Sequence, residues 1–221
     1  MRGAFLTFEG TDGSGKTTQL KRQAARLSEA GSPTLVTREP GGTAAGAAMR
    51  SLLLEARTPS LAPEAEMLLY AADRAQHVRE LIEPAIADGR IVLCDRYIDA
   101  TVAYQGHGRG LRIDVIAALN RIATGGLEPD LTILFDIPVD VSLARLAARA
   151  NASGSEALTR FDLEVREFHQ RVRDGYLAIA LANPERFRVV DASGSVVEVG
   201  AAVDRHVDEF LSRDVRCHSV T

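Results

Sequence analysis

The sequence predicts an α/β fold, a five-stranded parallel sheet covered by helices on both faces, and three observations predict it. Short apolar runs of strand length alternate with longer stretches of helical periodicity, the order that lays parallel strands beside one another through helical crossovers. Glycines stand where the helical stretches stop, as residues that enter the left-handed region at little cost. The 221 residues contain no internal repeat, linker or low-complexity segment that would divide them, so 1–221 reads as one domain.

Taken in order, the strands are Ala4 to Glu9, Thr34 to Arg38, Ile91 to Asp95, Leu131 to Asp136 and Phe187 to Asp191. Helices are predicted over Lys16 to Ala30, closed by Gly31, over Ala44 to Glu55, and over Pro63 to Ala87, closed near Gly89. Further helices span Asp114 to Thr124, closed by Gly125, then Val139 to Ala150, Asp162 to Leu181 and Val196 to Leu211. The small-residue stretch Asn151 to Ala157 carries no pattern and reads as a mobile loop within a small lid, residues 145–160. The tail, residues 212–221, receives no function.

Composition excludes several classes. Hydrophobic residues make up 46% and charged residues 25%, ordinary globular proportions. With 26 basic and 30 acidic residues the net charge is -4, so generic affinity for nucleic acid is not expected and any basic site must be local. Two cysteines, Cys94 in an apolar run and Cys217 in the polar tail, imply no disulfide framework and a reducing, cytoplasmic setting. No apolar run approaches the roughly 18 residues of a membrane span, and no leader-like apolar region precedes the first strand.

The chemistry begins at Gly10-Thr11-Asp12-Gly13-Ser14-Gly15-Lys16-Thr17, followed by Thr18. It satisfies G-x-x-x-x-G-K-[ST], directly after a strand and opening a helix, which is the context the phosphate-binding loop requires. The glycines let backbone N–H groups turn onto phosphate oxygens, and the helix presents its positive end to them. Lys16 would reach the β- and γ-phosphates of ATP, and the Thr17 hydroxyl would ligate Mg²⁺. A second Mg²⁺ carboxylate is expected at the end of an apolar strand, and Ile91-Val92-Leu93-Cys94-Asp95 supplies Asp95, acting through water; capping the next segment or pairing with Arg96 is the alternative.

A phosphate loop does not say what the phosphate is for. A kinase must also neutralise a second anionic substrate, which needs several converging arginines. Arg38, Arg74, Arg96, Arg145, Arg149 and Arg160 are available. An arginine taken alone is more often a solvated surface charge; Arg38 and Arg96 stand out because ligands of open α/β sheets bind beyond the carboxyl ends of strands. A nucleotide switch would show an Asn-Lys-x-Asp base-reading motif, which is absent, and the five histidines show no paired metal-ligand spacing.

Further motifs follow in order: Phe8-Glu9 before the loop and Thr18-Gln19 after it, Thr37-Arg38-Glu39-Pro40-Gly41-Gly42-Thr43, Ala72-Asp73-Arg74-Ala75-Gln76-His77, Asp95-Arg96-Tyr97, and Ala103-Tyr104-Gln105-Gly106. Together they resemble the thymidylate kinase family from Met1 to about Asp191. The resemblance implies a P-loop kinase fold, phosphoryl transfer from Mg·ATP to dTMP giving dTDP, and a homodimer.

It also implies roles. Asp12 resembles the carboxylate aimed at the 3′-hydroxyl of dTMP, a turn-forming Asp being the alternative. Arg38 and Arg96 resemble the groups that hold the dTMP phosphate. Tyr70 takes the place of a ring stacked on thymine, with core packing as its alternative, and Arg74, four residues on, reaches the base carbonyl side. Thr101 and Gln105 are candidates for the polar edge of thymine. Tyr104 resembles the residue that closes the space beneath the sugar against a 2′-hydroxyl, discrimination worth about 10²-fold. Glu9 would help order the magnesium shell or simply end its strand.

The phosphate loop carries no basic residue at its variable positions, so Arg149 and Arg160 are the expected transition-state cations, as in bacterial-type relatives with lid arginines. Arg145 would stack on adenine. Two departures stand out: Ala100 replaces a common Ser, and the lid reads Thr159-Arg160-Phe161-Asp162 where the family has Asp-Arg-x-Glu.

Overall fold

The computed structural model describes residues 3–55, 61–153 and 159–217. Five parallel strands, β1 (Phe5–Gly10), β2 (Thr34–Arg38), β3 (Ile91–Asp95), β4 (Leu131–Asp136) and β5 (Phe187–Asp191), form one sheet in the order β2-β3-β1-β4-β5. Central β1 is buried at every position, whereas edge strands β2 and β5 are partly exposed. That is why β1 reads as an unbroken apolar run: both its faces are covered.

Around the sheet lie α1 (Lys16–Glu29), α2 (Ala44–Leu54), α3 (Pro63–His77), α4 (Glu83–Ala87), α5 (Ile98–Thr101), α6 (Ile113–Thr124), α7 (Val139–Ser153), α8 (Arg166–Ala182) and α9 (Val196–Cys217). Successive side chains of β1 point to opposite faces. Leu6 and Phe8 pack with Leu20 and Leu27 of α1 and Val203 and Val207 of α9; Phe5 packs oppositely, with Val78, Ile82 and Ile86. A third cluster, Tyr104, Phe161, Phe168, Val172 and Tyr176, walls the cleft beyond the strand ends. Among the described residues no helix is long and apolar enough to cross a membrane.

The predicted strands lie within one residue of the observed ones, and four helical expectations need correction. The stretch Pro63 to Ala87 is continuous but widens into a π-helical turn at Val78–Ile82, where the Glu83 N–H reaches back to Val78 O. Pro84 explains it: proline has no N–H and its ring crowds the carbonyl four residues back, so the chain loosens before it. The sequence assigned no element to 98–108, yet α5 runs into a second π-helical turn, Val102–Gly108, closed by Arg109 N–H on Tyr104 O. The helix predicted from Asp162 begins at Arg166, because the Asp162 carboxylate folds back to accept from Thr159 N–H (2.8 Å) and Oγ1 (3.0 Å). Finally, α7 extends through Ser153 and α9 through Cys217, so Asn151 to Ser153 are helical and residues 212–217 of the tail are too; the rest of the predicted mobile loop and residues 218–221 lie outside the described residues.

Candidate active site

The chain reverses direction around β1: β2 and β3 lie to one side of it, β4 and β5 to the other. Ligands of such sheets bind at this switch point, outside the carboxyl ends of the strands. The loop after β1 opens there. Gly13 takes φ 78°, and a Cβ on it would lie 2.7 Å from Ser142 O, so only glycine fits. Ser142 Oγ anchors the loop through Asp12 O.

Lys16 Nζ donates to Thr11 O at 2.9 Å within the loop. Burial, followed by the nearby Arg96 charge, lowers its ammonium to about 8 against the opposing pull of Asp12, Asp95 and Glu9. Buried Thr11 Oγ1 and Ser14 Oγ have no hydrogen-bond partner among the described residues, as expected of a cradle built to face an anion. Thr17 Oγ1 donates to Asp95 Oδ2 at 2.6 Å, which brings a hydroxyl and a carboxylate from β3 to one point beside Lys16. These hard oxygen donors suit Mg²⁺, which takes one or two protein ligands and completes its shell with water and phosphate. Thr18 is exposed in the first turn of α1. Arg145 lies along the loop's outer side, donating to Ala192 O (3.0 Å), Ser193 O (3.3 Å) and Gly13 O (3.5 Å).

Asp12 joins this cradle to a second cleft. Its Oδ1 accepts from Arg96 at 2.9 Å and its Oδ2 from Tyr104 Oη at 2.9 Å. Burial would raise its carboxyl, but the charges of Arg96 and Lys16 and the Tyr104 hydroxyl overcome it, so Asp12 stays ionised far into acid.

Arg96 itself sits at φ 73°, a region that costs a non-glycine residue roughly 1–3 kcal/mol. The surroundings enforce it. Arg96 N–H bonds Phe8 O at 3.1 Å, and the next N–H, of Tyr97, bonds Glu9 Oε1 at 2.7 Å. The other Glu9 oxygen accepts from Tyr176 Oη at 2.7 Å, which in turn accepts from Arg96 at 3.0 Å. Tyr104 completes the clamp, its ring 4.7 Å from the guanidinium. Glu9 therefore has both oxygens engaged behind Arg96, an arrangement that serves Arg96's position; burial, then Asp99, push its carboxyl up to about 8.

The cleft beyond is lined by Tyr70, Arg74, Thr101 and Gln105, all expected from the sequence, and by Arg50, Leu54 and Phe161, which were not. Arg50 donates to Pro40 O at 2.8 Å. Burial and the charge of Arg38 lower its pKa. Arg38 lies exposed at the end of β2, outside the cleft lining, and its side chain makes no hydrogen bond among the described residues. Arg50, and not Arg38, is the arginine of this pair that lines the cleft. No local motif marks Arg50; its signal was only an arginine among small residues on α2.

Arg74 is 1% exposed and committed to Glu39 Oε2 (2.8 Å), Asn120 Oδ1 (2.8 Å) and Tyr97 O (3.0 Å), so it braces the cleft floor with three of its five donors. Tyr70 packs against the Tyr104–Phe161–Phe168 cluster and also lines the cleft. Arg160 donates to Glu66 and to Leu53 O at the Gln105 end of the cleft, and Arg149, half exposed, lies 3.5 Å from Asp162. Among the described residues, Arg149 and Arg160 make no hydrogen bond to the phosphate loop.

The family model described as Thymidylate kinase matches residues 8–203. A thymidylate kinase of Geobacter sp. (strain M21) is 55% identical over 91% of this chain and 90% of its own length. That of Citrifermentans bemidjiense is 55% identical over 91% and 89%, and that of Geobacter sulfurreducens 52% over 96% and 98%.

Proposed function

This chain belongs to the thymidylate kinase family, and on that premise we propose that its two adjoining anion sites carry the γ-phosphoryl group of ATP to dTMP, giving dTDP and ADP. The observation that supports this most is Asp12: one residue of the donor loop is hydrogen-bonded to Arg96 and Tyr104 of the acceptor cleft, so the two substrates must meet there.

Phosphoryl transfer asks the protein for alignment and charge neutralisation. Gly10 to Thr18 hold the ATP phosphates on backbone N–H groups, with Lys16 on the β- and γ-oxygens. Arg96, fixed by Glu9, Tyr176 and Tyr104, and Arg50 beside it hold the dTMP phosphate in line, with Arg38 at the rim. The dTMP phosphate is already an anionic nucleophile, so no general base is needed. Asp12 takes the 3′-hydroxyl, Tyr104 closes the floor beneath the sugar, Tyr70 stacks on thymine, and Thr101, Gln105 and Arg74 face its polar edge. Mg²⁺, bound with ATP, would be held by the Thr17 hydroxyl and, through water, by Asp95, and would neutralise phosphate charge. Arg149 is the better-placed lid cation, since Arg160 is engaged by Glu66 and Leu53 O. Arg145 flanks the adenine side.

We place the enzyme in the cytoplasm as a homodimer; exposed Leu68 on α3 and Ile122 on α6, two helices packed on one another, support a shared face. Light scattering tests that. The activity is tested by initial rates of ADP formation with Mg·ATP and a panel of dTMP, dUMP, ribo-TMP, dCMP, dAMP, dGMP, AMP and thymidine, with Asp12→Ala beside the wild type. A lead for dTMP of about tenfold, and collapse of the variant, are expected; a lead for another acceptor overturns the substrate assignment.

A further inference from the structure

We propose that Glu66 sets the base specificity of the acceptor cleft without touching the base, by locking the side-chain amide of Gln105 in one orientation. The inference rests on the cleft being the thymidylate site.

Glu66, on α3, is 1% exposed. Its Oε1 accepts from Gln105 Nε2 at 2.7 Å. Its Oε2 accepts from Arg160, and the Arg109 guanidinium lies 3.5 Å from each oxygen. Two guanidiniums, which only donate, face it as ion pairs, and a carboxylate can only accept hydrogen bonds. Gln105 must therefore turn its NH₂ toward Glu66. The amide oxygen is what remains, and it has no hydrogen-bond partner among the described residues while the residue lines the cleft. A neutral amide at position 66 could donate as readily as accept, and Gln105 would lose its fixed sense.

Four residues earlier, on the same side of the helix, Thr101 Oγ1 is buried and unpartnered among the described residues. Beside Arg74, the polar edge of the cleft thus presents one pure acceptor, at Gln105, and one hydroxyl that adapts, at Thr101. A thymine or uracil ring brings an N–H donor at N3 to such an edge. Cytosine brings a lone pair at N3, and it would face the Gln105 oxygen lone pair to lone pair. Sites that fix a hydrogen-bonding group discriminate strongly, because the wrong partner leaves buried polar atoms unpaired. The same device is blind to the thymine methyl, so it separates dTMP from dCMP and not from dUMP.

The test is kcat/KM for dTMP and for dCMP with Mg·ATP in the wild type, Glu66→Gln, Gln105→Met and the double variant. Glu66→Gln is expected to lower the dTMP-to-dCMP ratio by about tenfold or more, while in the Gln105→Met background it leaves that ratio unchanged. Loss of lid contacts at Arg160 acts on both acceptors and cancels in the ratio. If Glu66 only supports the fold, both acceptors fall together and the ratio stays within about twofold, which overturns the proposal. A wild type that prefers neither dTMP nor dUMP refutes the thymidylate reading instead, and the proposal goes with it. If Glu66→Gln does not fold, the wild type decides: the Gln105 side-chain ¹⁵N signal, identified by its loss in Gln105→Met, must show slowed hydrogen exchange before any nucleotide is added, and an unprotected signal overturns the lock.

Discussion

Replacing Tyr176 with Phe tests whether the clamp behind Arg96 matters to catalysis. Tyr176 is 1% exposed, and its hydroxyl donates to Glu9 at 2.7 Å and accepts from Arg96 at 3.0 Å. Phe keeps the ring in its aromatic cluster, 6.2 Å from Tyr104, so the packing is preserved. What is lost is a hydrogen bond to the Arg96 guanidinium, worth about 1.5–3 kcal/mol, and one to Glu9, whose carboxyl is held largely protonated near neutral pH and whose bond is worth about 0.5–1.5 kcal/mol. Glu9 keeps the Tyr97 N–H and Arg96 keeps Asp12 and Tyr104, so the two losses are not fully additive. A stability loss of about 2 kcal/mol is expected in urea unfolding. With one of three anchors gone, Arg96 should aim the acceptor phosphate less well, lowering kcat for dTMP by about tenfold to a hundredfold. ATP affinity should not change, because Tyr176 does not touch the phosphate loop. A folded variant that loses the stability but keeps kcat within about twofold would refute the reasoning: Tyr176 would then stabilise the fold and position nothing.

Lys16, lowered to about 8, must be protonated to face phosphate, so ATP affinity should weaken as pH rises past that value, by at most about tenfold per pH unit; calorimetry in two buffers at pH 8.5 should show proton uptake, absent in Lys16→Met. Glu9 holds its proton more tightly when folded (about 8) than at its ordinary 4.5, so its contribution is fully present below the ordinary value and disappears as pH rises through the folded one; the urea midpoint should fall between about pH 5 and 8, with a flatter slope in Glu9→Gln. Asp73, raised to about 6 by burial and then by Glu39, adds to that slope at its lower end. Gly13→Ala should lose ATP binding and cost about 2 kcal/mol or more, because its Cβ would strike Ser142 O from a strained φ; retention of wild-type ATP affinity would show that the loop adapts.

What the sequence determined by itself is local. The phosphate loop is one contiguous stretch whose geometry follows from three glycines between a strand and a helix, so its residues and their chemistry were legible at once. The inner strands β1, β3 and β4 fell within a residue of expectation because burial on both faces writes an unbroken apolar run, and that signal needs no partner to be read. Other features depended on contacts between distant parts of the chain. Tyr176 reaches Glu9 across 167 positions and Arg160 reaches Glu66 across 94, and nothing near either residue announces its partner. Arg50 was missed for the same reason: motif order pointed to Arg38, which lies exposed at the end of β2, and no local signal told that α2 carries Arg50 into the cleft lining. Side-chain direction in a cleft is decided by which elements pack together, and only the folded chain sets that.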